Sequence, residues 1–228
     1  MTAFAGSARF LGSEKEVICP ICNKHKAKRL CPAKAETICP TCCGREREVT
    51  IDCPSECTYL IASREFGGDR KEIDWSKMPF PEERPSQALI GSHQSFILDL
   101  FFAIGRFATE NPELVDSDAQ GSLQALAEAY RTLSSGIYFE KPPDYRIQRE
   151  LYGRLKEAIN VFKKEEMRRG AIFSIRDSEV RDCLVFLAQT SVIRTNGRPK
   201  GRAFLDFIRG QFDLKQFSKS SSSAIVLP

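Results

Sequence analysis

Histidine is nearly absent from this chain of 228 residues, which holds only His25 and His93. So few imidazoles leave little material for the acid–base and nucleophilic relays on which many hydrolases and transferases run. No Gly-rich phosphate loop, nucleophile elbow or paired-carboxylate motif takes their place. Long hydrophobic runs are also missing. The most apolar window, residues 96–104, contains Asp99 and falls far short of the roughly 20 residues a membrane helix needs. The N-terminal stretch shows no basic run followed by an apolar one, so no targeting segment and a cytoplasmic setting are expected. Charge of one sign is not in large excess. A net charge of +4 is too weak to imply a nucleic-acid partner by itself. The hydrophobic content of 42% is ordinary for a globular protein and allows a substantial core.

The chain does have cysteine. Eight of its nine, Cys19, Cys22, Cys31, Cys39, Cys42, Cys43, Cys53 and Cys57, crowd between positions 19 and 57, and Cys183 stands far away. Such a cluster in a reducing compartment reads as metal binding before disulfides. The spacing is C-x2-C-x8-C-x7-C-x2-C-C-x9-C-x3-C. Two pairs share one setting, Ile18-Cys19-Pro20-Ile21-Cys22 and Ile38-Cys39-Pro40-Thr41-Cys42. A C-P-x-C turn lets two thiolates grip one ion, and zinc favours four tetrahedral ligands, thiolates among them. Pro54 and Glu56 suit the first turn of a helix that places Cys53 and Cys57 on one face at i and i+4. Residues 49–52 alternate like a short strand ahead of it.

The simplest arrangement interleaves two zinc sites, one from Cys19, Cys22, Cys39 and Cys42, the other from Cys31, Cys43, Cys53 and Cys57. His25 is the spare ligand, a substitute for Cys43 or Cys31 or else an exposed loop residue. An iron–sulfur cluster is the rival to zinc. Over residues 19–57 the ligand order resembles that of the cross-braced zinc modules, which include RING, B-box, MYND and HIT-type fingers. It lacks the C-x4-C of the MYND kind and the histidine pair of the B-box kind. That resemblance implies two structural ions and a rigid surface offered to a protein partner. Metal is needed energetically. The larger apolar residues between the outer cysteines are few: Ile21, Leu30, Ile38, Val49 and Ile51. They cannot offset an ordering cost of ~1–2 kcal/mol per residue, whereas a structural zinc site supplies ~10–16 kcal/mol.

Behind the module the pattern turns helical. Apolar residues recur at spacings of three and four over residues 118–134, 144–168 and 177–193, and residues 92–109 are apolar on nearly all sides. Asp144 is the candidate N-cap of the 144–168 helix, and Asn196-Gly197 marks a turn before a short last helix. The expected fold is mainly α: a small cysteine-rich zinc module with short β-strands, followed by an all-helical bundle of about five helices. The expected division is a flexible 1–13, the module at 14–68, a linker at 69–91 pinned by Trp75, Met78 and Phe80, the bundle at 92–217 and a serine-rich tail at 218–228.

The function expected is that of a zinc-binding, non-enzymatic protein acting as a protein-interaction, scaffolding or regulatory module. Nucleic-acid binding is the alternative. It would use the basic residues of 24–34 (Lys24, Lys26, Lys28, Arg29, Lys34) and of 194–219, where seven Lys or Arg face two Asp. A metal-dependent or redox enzyme is the remaining alternative. His93 and Asp99 lie six apart and share no helical face well, and Cys183 sits in an apolar helical setting as an inert core thiol.

Overall fold

A computed structural model of the chain describes residues 17–68, 73–134, 136, 139–170, 172 and 174–212. It is mainly helical, with two short strands beside the cysteines. Strands β1 (Arg29–Cys31) and β2 (Glu36–Ile38) pair antiparallel, Leu30 opposite Thr37. They are followed by α1 (Pro40–Glu46) and α2 (Thr58–Gly68). The helical part comprises α3 (Gln87–Ser92), α4 (Gln94–Glu110), α5 (Asp116–Ser134), α6 (Arg146–Arg168), α7 (Asp177–Arg194) and α8 (Ala203–Arg209). The segments 1–13 and 218–228 lie outside the described residues, as do 69–72 of the stretch read as a linker.

The helices form where the apolar spacing places them. α5 and α7 pack along each other most extensively, and α6 covers α4 and α5. Their interface is the main core, built from residues such as Phe96, Leu100, Leu123, Leu155, Leu184 and Phe204. α4 is buried on one side only, since Leu98 and its neighbours face outward. The helix that reads as central from sequence is therefore peripheral on one face. α3 falls within the stretch read as a linker, where the Ser86 side chain accepts the Leu89 N–H and starts the helix. The rest of that stretch is held by Met78, which is buried, and by Gln189 on α7, whose Nε2 donates to the carbonyls of Pro79, Phe80 and Glu83. Trp75 stays half exposed under the Arg84 guanidinium. The cap of α6 is Tyr145, not Asp144, because Arg149 ties the Pro143 and Asp144 carbonyls back before the helix begins.

The module has a second, separate core of Cys19, Ala27, Cys31, Ile38, Cys39, Cys42, Ile51, Cys53 and Leu60. It meets the helices through polar groups. Arg64 on α2 bonds Glu48 at 2.8 Å and Asp206 of α8 at 2.6 Å. Ser55 donates to the same Asp206, and Arg202 pairs with Asp52. The loop from α7 to α8 folds tightly enough for this. Gly197 adopts φ +71°, and a Cβ on Gly201 would meet Asn196 Oδ1 at 2.5 Å.

Asp116 joins α5 to α8. It is buried, and its carboxylate accepts the N–H groups of Phe204 and Leu205, both at 3.2 Å, capping α8. Burial pushes its pKa up against those bonds. Removing a cap costs ~0.5–2 kcal/mol, and two stranded buried donors cost roughly 1–3 kcal/mol more. Asp116→Ala is therefore expected to lower stability by about 2–4 kcal/mol in urea unfolding followed by circular dichroism.

Candidate metal centre

The two Ile-Cys-Pro-x-Cys strings fold differently. The first makes a closed turn. The Cys19 N–H donates to the His25 carbonyl at 2.9 Å, the Asn23 N–H to the Cys19 carbonyl at 2.8 Å, and Ile18 bridges to Lys26. Asn23 takes φ +51°, which this residue tolerates better than most. The second string opens α1. Cys39 is its N-cap, with Pro40 just inside, and the Cys39 sulfur accepts the Cys42 N–H at 3.3 Å. The β1–β2 hairpin returns the chain so that this helix start faces the first turn.

The result is one compact sulfur cluster. The thiol sulfurs of Cys19, Cys22, Cys39 and Cys42 all lie within 4.8 Å of one another, with Cys22 and Cys39 at 3.9 Å. Cys19, Cys39 and Cys42 are buried and Cys22 is partly exposed. The group suits one tetrahedral ion. Among the described residues no other group of His, Cys, Asp and Glu gathers so closely.

The electrostatics show why such a cluster calls for a cation. The His25 ring beside Cys22, then the N–H groups of His25 and Lys24, bring its thiol down to about 5. Burial opposes ionisation of Cys19, yet the N–H groups of Cys39, Cys22 and Ile21 together bring it below its ordinary value. Cys42 is pushed up to about 12, first by burial and then by the neighbouring sulfurs. Four thiolates at this spacing repel, and a divalent ion would offset both the burial and the repulsion that keep Cys42 protonated.

The other four sequence candidates do not join this cluster. Cys31 ends β1, Cys43 lies in α1, and Cys53 and Cys57 lie before α2. All four line a single small cavity. The helix expected to carry Cys53 and Cys57 starts only at Thr58. Cys57 N–H closes a turn on the Pro54 carbonyl at 3.0 Å, so the pair sits on that turn. Residues 49–52 form no paired strand. The N–H groups of Val49, Thr50 and Ile51 all donate to the Glu46 carbonyl, which leaves none for a ladder. His25 is exposed, with Nδ1 at 3.5 Å from Cys22 Sγ, and so lies at the first cluster and not near Cys31 or Cys43. Cys183 is fully buried in α7, its thiol pushed up to about 12 by burial, and is a core residue. His93 faces Glu179 at 3.7 Å and is not paired with Asp99.

Sequence reading missed the charged residues next to the sulfurs. Arg47, buried to 8% exposure, donates from Nη2 to Cys43 Sγ at 3.7 Å. Glu48, 1% exposed and at φ +52°, follows it directly. The available signal was the alternating run Arg45-Glu46-Arg47-Glu48 directly after Cys43-Gly44.

Cys39→Ser removes both a sulfur and the N-cap of α1. It is expected to lower the metal content of the purified chain and to open the module to protease. Cys183→Ser should leave metal content unchanged, as read by native mass spectrometry with elemental analysis. Comparison with known proteins gives no match for this chain, neither to a family model nor to a curated protein nor to a solved structure, so the metal centre rests on the residues themselves.

Proposed function

We propose that the chain is a zinc-binding, non-enzymatic protein whose cysteine module presents a rigid surface to a protein partner in a reducing, cytoplasmic setting. The observation that carries this is the closure of the sulfur cluster. Four thiols supply every position a tetrahedral ion takes, whereas catalytic zinc keeps one position for water or substrate. Zinc is favoured because an all-thiolate set suits it and the protein fold does the rest of the coordination work. The module's own core is largely sulfur, so the ion serves as its structural centre.

The face open to a partner includes Val17, Ile18 and Leu30, all exposed, with Leu30 at 64%. Side chains of this kind on a rigid backbone are what protein interfaces bury. No helix among the described residues is long and apolar enough to cross a membrane. The nucleic-acid alternative loses half its basis. Of the C-terminal basic stretch, Arg198, Lys200 and Arg202 bond to the module and Arg209 to Asp206. Lys215 and Lys219 lie outside the described residues. Among the described residues the exposed lysines of 24–34 remain for phosphate, with Arg194, which is exposed and stacks on Phe207.

The test has two stages. Proteins captured from native cells by the full chain are purified, and their direct binding to wild type and to Leu30→Asp is measured. Loss of at least about tenfold in affinity with Leu30→Asp is expected for a contact at the core of an interface. A set of purified candidates that binds both chains equally, or does not bind at all, sinks the scaffold reading. A steeply salt-dependent affinity for oligonucleotides would put the alternative in its place.

A further inference from the structure

Four cysteines outside the compact cluster surround a cavity of about 10 Å³ between the hairpin and the turn before α2. Cys31, Cys43, Cys53 and Cys57 are all free thiols. Their sulfurs are not gathered within the 4.8 Å of the first cluster, but all four line this one cavity. We infer that these four sulfurs hold a second zinc ion, and that this ion fastens the module to the helices. The inference rests on reading the module as metal-built, but not on the partner.

The donor set is the first support. No histidine or carboxylate lines the cavity, so its four sulfurs are the only side-chain metal ligands there. Thiolates of this number select zinc over harder ions. The space is roughly that of one water-sized sphere. It suits a single ion and leaves little room for sulfide-bridged irons.

Charge is the second support. Zinc with four thiolates carries two negative charges in excess. Arg29 and Arg47 both line the cavity. Arg47 is the more telling, because the hydrogen-bond partner of its buried guanidinium is Cys43 Sγ. A guanidinium buried against a neutral thiol is an uncompensated charge and costs stability. Against a metal-bound thiolate it is compensated, and it stabilises the ion's ligand in return.

The chain between Cys43 and Cys53 then links this ion to the helical part. Arg198 donates from one guanidinium nitrogen to the carbonyls of Gly44 and Arg47. Glu48 stands midway between Cys43 and Cys53 in the chain. Its carbonyl accepts the Lys200 N–H at 2.8 Å, and its carboxylate accepts from Arg64 and Asn196. One residue thus lies midway between two of the proposed ligands and has its carbonyl and side chain on the interface. With the second ion bound, residues 44–53 are held at both ends. Without it, Cys43 and Cys53 are released, and the Glu48 contacts lose the backbone that aims them. The first cluster contributes only Cys42 to this link, as the neighbour of Cys43.

Native mass spectrometry of the full wild-type chain, loaded with zinc alone and desalted, reads the stoichiometry without needing any variant to fold. Two ions are expected. One ion would overturn the second site and leave the metal reading of the first cluster standing, and none would overturn both. Cys53→Ser should retain one ion. Hydrogen exchange tests the fastening: the Lys200 amide should exchange at least about tenfold faster in Cys53→Ser, a change of about 1.4 kcal/mol in local opening. Exchange at Lys200 as slow as in wild type would overturn the fastening role.

Discussion

Crowding of sulfur is the constraint around which this molecule is arranged. The N-terminal module buries three aliphatic side chains, Ile38, Ile51 and Leu60, with Ala27, and the rest of its core is cysteine. Aliphatic burial on that scale cannot order some forty residues of mostly irregular backbone. Four thiols packed within 4.8 Å are held in unlike states: His25 draws Cys22 down to about 5, while burial, then the neighbouring sulfurs, push Cys42 up to about 12. A bound ion would satisfy both demands, since it would supply folding free energy and let every sulfur become a thiolate.

Two kinds of packing follow from that constraint. The helical part is conventional, with aliphatic and aromatic stripes on α4–α8 meeting in one dry core. The module keeps its own core and attaches by hydrogen bonds and ion pairs, with Glu48, Arg64 and Asp206 at the centre. A buried polar network of this sort depends on geometry, because each group is costly when its partner moves. Arg64 Nε already lacks a partner, so the network has no surplus. Its geometry is set by residues 44–53, and those residues run between cysteines. The state of the sulfurs and the attitude of the module toward the helices are therefore joined by short covalent paths.

On the proposed reading the same arrangement separates this chain from the chemistry that its cysteines first bring to mind. An ion held by these four sulfurs, three of them buried, would have no position left for substrate. Histidine, the usual acid–base group, is spent on neighbours: His25 lies against a cluster sulfur, and His93 faces a glutamate. Arg198, Lys200 and Arg202 of the basic C-terminal stretch, which reads as a phosphate-binding surface, point to carbonyls and a carboxylate of the module. Basic residues close in sequence need not share a solvated face. Here the turn at Asn196-Gly197 directs them across an internal boundary.

By itself the sequence determined the helices and the metal-binding character of the front. Apolar spacing of three and four places α5, α6 and α7 to within a few residues, because that period has one structural solution when one face must be buried. The repeated Ile-Cys-Pro-x-Cys strings likewise announce the first four-sulfur cluster, since that motif aims two sulfurs at one point. Tertiary structure decided what lies between these signals. Residues 49–52 alternate like a strand, yet Glu46 offers one carbonyl to three successive N–H groups and turns the chain instead. Cys53 and Cys57 have helical spacing, yet the helix begins just beyond them. Nothing local marks Arg64 for pairing, yet Glu48 and, from the far end of the chain, Asp206 meet it. Periodicity registers burial against the rest of the chain as a whole, whereas a buried ion pair is a contact between particular residues. No local pattern encodes the distance at which Arg64 finds Asp206, and only the folded chain brings them to 2.6 Å.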